Sequence, residues 1–148
     1  MKRKFFRMII VTFLTSIMTI SVSQAADFTF HGASQFDEDH AFTRLMRKFE
    51  ELVQLYYTGD KSIEFVMHLN SELGLEKDYV AYMAQGVSID YAVASPSHMS
   101  TFSKMASLID PPMLYRDHIH WSKVLGGDAL APIEADILKR AVIRLIGY

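Results

Sequence analysis

The chain has 148 residues, no cysteine, a formal net charge of −2 and 50% apolar residues. That length holds one ordinary domain, and the apolar half is enough to bury a core. The absence of cysteine excludes a disulfide framework, a thiolate metal site and a thiol nucleophile, and the near-balanced charge argues against nucleic acid, whose binders carry a strongly basic patch.

Lys2, Arg3, Lys4 and Arg7 form a basic cluster ahead of an uncharged run of 19 residues from Met8 to Ala26. Ser23-Gln24-Ala25 then supplies a small-x-Ala site, so residues 1–25 read as a secretory signal peptide. Serines, threonines and a glutamine dilute the second half of the run, which sets it apart from a spanning helix of about 20 predominantly apolar residues. Cleavage after Ala25 leaves 123 residues. It removes four basic residues and no acids, so 15 basic and 17 acidic residues become 11 and 17, a net charge of −6. The predicted product, residues 26–148, is exported to the periplasm without a lipidated cysteine anchor.

Phe28 to Ala33 is a β-prone run and the predicted first strand. Asp37-Glu38-Asp39 offers carboxylates for a helix N-terminus. Phe42, Leu45, Met46, Phe49, Leu52, Val53 and Tyr56 follow at helical spacing, and Gly59-Asp60 stops the helix. Ser62 to His68 is the second strand. A second helix runs from Leu75 to Gln85, closed by Gly86, and Ser88 to Ala94 is the third strand. Ser95-Pro96 predicts an N-cap with proline at the first helical position, opening a short helix to Lys104. Pro111-Pro112 breaks the chain. Tyr115 to Leu125 is helical in pattern, Asp128 caps a helix to Arg140, and Ala141 to Ile146 reads as a last strand.

Strands alternating with helices predict an α/β lobe with a mostly parallel sheet and helices on both faces. In such sheets ligands sit beyond the carboxyl ends of the strands. Here those ends are Ala33 to Phe36, His68 to Ser71 and Ala94 to His98, all rich in hydrogen-bonding side chains. Serines and asparagines equally serve as caps and turns, so these segments alone do not define a site. The six histidines lack a paired-ligand spacing, and no metal or cofactor is predicted. No catalytic group emerges either. Ser97 and His98 are adjacent, but there is no nucleophile elbow and no orienting acid.

Three stretches carry a resemblance: Phe30 to Phe36 (FHGASQF), His68 to Asp78 (HLNSELGLEKD) and Gln85 to Ala92 (QGVSIDYA). With Ser97 to Ser100 and Asp110 to Asp117, they resemble the DctP-type family, the substrate-binding proteins of TRAP (tripartite ATP-independent periplasmic) transporters. The resemblance spans essentially the whole mature chain. It implies two α/β lobes closing on an organic acid, a C4-dicarboxylate or related carboxylate, and delivery to a membrane permease driven by an ion gradient. It also implies an arginine from the second half of the chain as the carboxylate clamp, a geometry that favours bidentate pairing. Arg144 lies inside the last predicted strand and does not match that arginine. The resemblance therefore covers the first lobe, with the second lobe missing, and the chain reads as a truncated receptor. By position it places Ser34, Gln35, Phe36, Glu76 and Ser95 at the ligand. The readings set against a non-enzymatic receptor are a small exported hydrolase using Ser95 or Ser97 with a histidine, and a remnant that binds nothing.

Overall fold

The computed structural model describes residues 25–148; the predicted signal peptide lies outside the described residues. Three parallel strands form the sheet: β1 (Phe28–Ala33) in the centre, β2 (Ile63–His68) on one side and β3 (Tyr91–Ala92) on the other. Between them run helices α1 (Ala41–Tyr56) and α2 (Glu76–Ala84). Beyond β3 come two 3-10 turns, Pro96–Thr101 and Lys104–Leu108, then α3 (His118–Leu125), a 3-10 turn at Asp128–Leu130, and α4 (Ala131–Ala141).

Register is set before the strands begin. The Asp27 carboxylate accepts from the Ser62 amide (2.8 Å) and hydroxyl (2.8 Å), while the Asp27 amide donates to the same hydroxyl at 2.9 Å. These bonds hold the Asp27 carboxyl below the usual carboxylate range. Six rungs follow, from Phe28 opposite Ile63 to Ala33 opposite His68. Alternation then places Phe30, Gly32, Phe65 and Tyr91 on one face and His31, Ala33, His68 and Ala92 on the other.

Helix α1 covers the first face. Phe49 lies 6.3 Å from Phe65 and 5.6 Å from Tyr91, ring centre to ring centre. Thr43, Met46 and Glu50, spaced three and four apart, are its buried residues. Glu50 is a charge taken out of water, and it is paired accordingly. Tyr91 donates its hydroxyl to Glu50 Oε1 at 2.5 Å, and Arg47 reaches Oε2 at 3.2 Å. Burial and then the Glu50 carboxylate push the Tyr91 phenol well above its ordinary range, so it remains a donor. Gly32 is small for a reason on the same face: a Cβ there would sit 2.4 Å from Cζ of Tyr91.

The second face carries the main core. Ala33 packs with Val80 of α2, Ile89, Met99, Ile109 and Ile137 of α4. The buried Ser103 hydroxyl donates to Asp136 at 2.6 Å, and Arg140 bonds the other carboxylate oxygen at 2.7 Å, tying the 3-10 segment to α4. Among the described residues, no helix is long and apolar enough to cross a membrane.

Helix α2 ends as the glycine predicts. Gly86 adopts φ +66°, its amide reaches Met83 O and the Val87 amide reaches Tyr82 O, the paired bonds of a Schellman cap. Five expectations need correction. Asp128 opens a 3-10 turn instead of capping the last helix, whose N-cap is Leu130 with no side-chain bond. The acids at 37–39 do not cap α1: Asp37 closes the turn before it, and His40 is the N-cap, accepting from the Phe42 amide at 3.2 Å. The third strand shrinks to Tyr91–Ala92 because Ser88 sits at φ +63° and Ile89 is buried outside the ladder. The segment after Pro96 is 3-10 rather than α. Ala141 to Ile146 is not a strand: Ala141 closes α4, Val142 turns left-handed at φ +57°, and Ile143 is buried in the core.

Candidate functional site

The carboxyl ends of the three strands meet at one place. Ser34 leaves β1 with its amide bonded to His68 O at 2.9 Å, prolonging the ladder by one rung. Beyond β2, Asn70 and Ser71 both adopt left-handed backbone, φ +53° and +59°. That double turn folds the β2 loop onto the β1 loop: the Asn70 amide donates to Phe36 O at 3.0 Å and the Ser71 hydroxyl to Gln35 O at 3.2 Å. Gly74, at φ +92°, then lets the chain approach Asp78, whose carboxylate accepts from the Leu75 amide at 2.9 Å and starts α2.

Glu76, the first residue of α2, is the centre of the arrangement. It is only 6% exposed. Its Oε2 accepts from the Ser95 amide at 2.9 Å and lies 3.3 Å from His98 Nε2; its Oε1 accepts from Gln35 Nε2 at 3.4 Å. Gln35 answers with its own carbonyl, which takes the Glu76 amide at 3.4 Å. One carboxylate thus joins the loop after β1, the start of α2 and the loop after β3. Beneath them the Tyr79 ring is fully buried, and burial together with the Glu76 charge raises its phenol well above the ordinary range.

The other expected residues are distributed differently. Ser34 is buried, its hydroxyl shared with Thr43 Oγ1 at 3.1 Å and with the Phe36 amide at 3.2 Å, so it is committed to the fold. Phe36 is half-buried and stacks on His40 at 3.6 Å between ring centres. Ser95 stands at the cap position of its 3-10 turn, but its hydroxyl makes no cap bond; it donates to Asp110 at 2.6 Å and contacts Ser97 Oγ at 2.8 Å. The loops bring all five residues into one hydrogen-bonded neighbourhood.

No protein-family model matches the chain. A curated solute-binding protein of Sulfitobacter sp. (strain NAS-14.1) is 50% identical over 123 residues, which make up 83% of this chain and 37% of that protein. The crystal structure of a TRAP periplasmic solute-binding protein from Sulfitobacter sp. NAS-14.1, with bound α-D-taluronate, matches with a TM-score of 0.77 and 48% identity over 81% of this chain. The chain is homologous to one portion of a TRAP periplasmic solute-binding protein. It spans 38% of that solved chain, the share expected of a single lobe. A second TRAP binding protein, from Roseobacter denitrificans OCh 114 with bound L-galactonate, matches with a TM-score of 0.69 at 26% identity, over 82% of this chain and 39% of its own.

Sequence reasoning named His98 at the end of the third strand-end segment and beside Ser97, but did not place it with Glu76. It stands 22 positions from Glu76, and no local spacing connects the two. The structure also brings His31 and His68 together, Nδ1 to Nε2 at 3.1 Å, with Glu72 at 3.2 Å from His68; they lie on different strands, which hid the pair from the sequence. Among the described residues, no group of three or more metal-ligating side chains converges. No serine hydroxyl among them is hydrogen-bonded to a histidine ring: Ser95 and Ser97 bond each other, and His98 lies against Glu76. The hydrolase geometry is therefore not formed. A separate shallow cleft of about 350 Å³ is lined by Tyr115, Asp117, His118 and Trp121, none of them from the strand-end loops.

Proposed function

We propose that the chain forms the first lobe, residues 26–148, of a periplasmic TRAP receptor. In this reading its strand-end loops make one wall of a cleft for an organic acid that the receptor hands to a membrane permease. The observation that carries the reading is the convergence of three strand ends on buried Glu76, at the place where open α/β sheets hold ligands. The kinship supports it, since the Sulfitobacter and Roseobacter proteins hold taluronate and galactonate. Sugar acids are accordingly the preferred ligands over C4-dicarboxylates. The groups on this wall are Gln35, Phe36, Glu76 and Ser95, with Ser34 as their buried support; the chemistry is binding, not catalysis.

One wall binds weakly by itself. Tight small-molecule sites bury about 70–90% of the ligand surface, and a single face leaves most of a sugar acid wet. The test is a titration of isotope-labelled protein, expressed with its own leader and purified from the periplasm, with D-galacturonate. Amide resonances of residues 34–36, 70–76 and 95–98 are expected to shift together with millimolar affinity. A spectrum that galacturonate, taluronate and succinate all leave unchanged would refute the receptor reading in favour of a lobe that binds nothing.

A further inference from the structure

We infer that residues 142–148 are an unpaired β-edge on which the rest of a longer receptor docks, the segment becoming a strand when that polypeptide pairs with it. The inference rests on the receptor reading above and deepens it by naming the surface through which this lobe meets the remainder.

The pattern of exposure is that of a strand. Ala141 and Ile143 are buried and Leu145 packs on the core, whereas Val142, Arg144 and Ile146 between and after them are exposed. A period of two marks a half-buried strand. Yet the segment has no ladder. Among the described residues, none makes a backbone–backbone hydrogen bond to residues 143–148; the last such bond runs from the Val142 amide to Leu138 O at 3.1 Å. Side chains disposed as in a sheet thus accompany a free row of N–H and C=O groups, which is a template for another strand.

The surroundings leave room for that partner. Arg144 and Leu145 line a cleft of about 220 Å³ with Ala135 and Leu138 of α4. Glu134, in the same cleft, accepts from the Tyr148 hydroxyl at 2.6 Å. Burial, the Glu134 bond and the Tyr115 phenol beside it raise the Tyr148 phenol above its ordinary range, and Tyr115 itself lines the larger cleft with Trp121. The two clefts therefore adjoin along this segment.

The occupant follows from the kinship. The matched residues are 37% of the curated Sulfitobacter protein and 38% of the solved chain, so most of either polypeptide lies outside them. In the receptor reading that remainder follows the first lobe and so starts at this edge. Pairing is then intramolecular, at the high effective concentration that a short tether gives, whereas a second copy of this chain has to find the edge by diffusion.

The test compares this chain, expressed with its own leader, with a chimera in which the residues following the matched portion of the Sulfitobacter protein are joined after Tyr148. Amide hydrogen exchange is read over peptides covering 143–148. In this chain alone those amides are expected to exchange as open backbone does; in the chimera they should slow at least about 100-fold, as ladder amides do. Ile146→Asp should leave exchange in this chain alone unchanged and restore fast exchange at 143–148 in the chimera. Leu55→Asp, at a comparably exposed apolar position on α1, should do neither. Fast exchange at 143–148 in the unsubstituted chimera overturns the inference. So do equal effects of the two substitutions, and so does protection in this chain alone, which assigns the edge to a second copy or to the chain's own residues. None of these results touches the receptor reading, which falls only if galacturonate, taluronate and succinate all leave the strand-end amides unchanged.

Discussion

Replacing Gly32 by alanine tests the packing that joins α1 to the sheet. The new methyl would lie 2.4 Å from Cζ, 2.6 Å from Oη and 2.7 Å from Cε2 of Tyr91, so the ring has to move. It has little freedom: its hydroxyl is bound to buried Glu50 at 2.5 Å, and Phe49 and Phe65 lie 5.6 and 5.7 Å away. Forcing a methyl into a packed site costs about 1–3 kcal/mol, and losing a hydrogen bond to a charged group about 1.5–3 kcal/mol. Against these, alanine is favoured over glycine in a strand by roughly 0.5–1 kcal/mol through backbone entropy. The net expectation is a loss of about 2–4 kcal/mol. In urea unfolding, with a slope of about 1–3 kcal/mol per molar, that moves the midpoint down by on the order of 1 M. The decisive comparison is the same substitution in a Tyr91→Leu background. Leucine lacks Cε2, Cζ and Oη, so Gly32→Ala should there cost less than about 1 kcal/mol or stabilise slightly. Equal costs in the two backgrounds would show that the ring is not what keeps position 32 small.

Glu76→Gln keeps one oxygen for the Ser95 amide but turns an amide donor toward Gln35 or His98; unfolding should report a loss of about 1–3 kcal/mol. The Asp136 carboxyl is held below its ordinary value of 3.8, first by the Ser103 hydroxyl and then by Arg140. A lowered folded pKa means that the unfolded chain takes up the proton first, so this stabilisation is complete above about pH 4 and is lost as pH falls through the lowered value. Ser103→Ala should therefore differ from the parent most at neutral pH, and the two melting curves should converge on acidification; a constant gap would contradict the linkage. Val142, 73% exposed, adopts left-handed backbone that costs a β-branched residue about 1–2 kcal/mol, so Val142→Gly should stabilise α4 by about 0.5–1 kcal/mol after glycine's own entropy, measured by chemical unfolding.

Much of the lobe was legible because its signals are local. The β-prone run at 28–33, the helical spacing from Phe42 to Tyr56 and the glycine after α2 each act within a few residues, and each element formed where expected. The misreadings share a cause. Ala141 to Ile146 is apolar enough for a strand, but pairing needs a neighbour, and here Ala141, Ile143 and Leu145 pack into the core while Val142 and Ile146 stay exposed. Ile89 likewise earns its burial without a ladder. The site divides the same way. The strand ends could be located from the order of elements, whereas the Glu76–His98 contact joins residues from different loops and exists only once the sheet has assembled.

Glu76 works as a keystone, and this has an evolutionary corollary. Because three segments lean on one carboxylate, altering it loosens all three at once. His98 is partly exposed and meets the arch through one ring nitrogen, so it can change with less effect on the arch. Divergence among lobes of this kind should therefore concentrate at the equivalent of that position while the acid beside it stays put. A deep mutational scan read by the yield of folded protein would register that as intolerance at 76 and tolerance at 98.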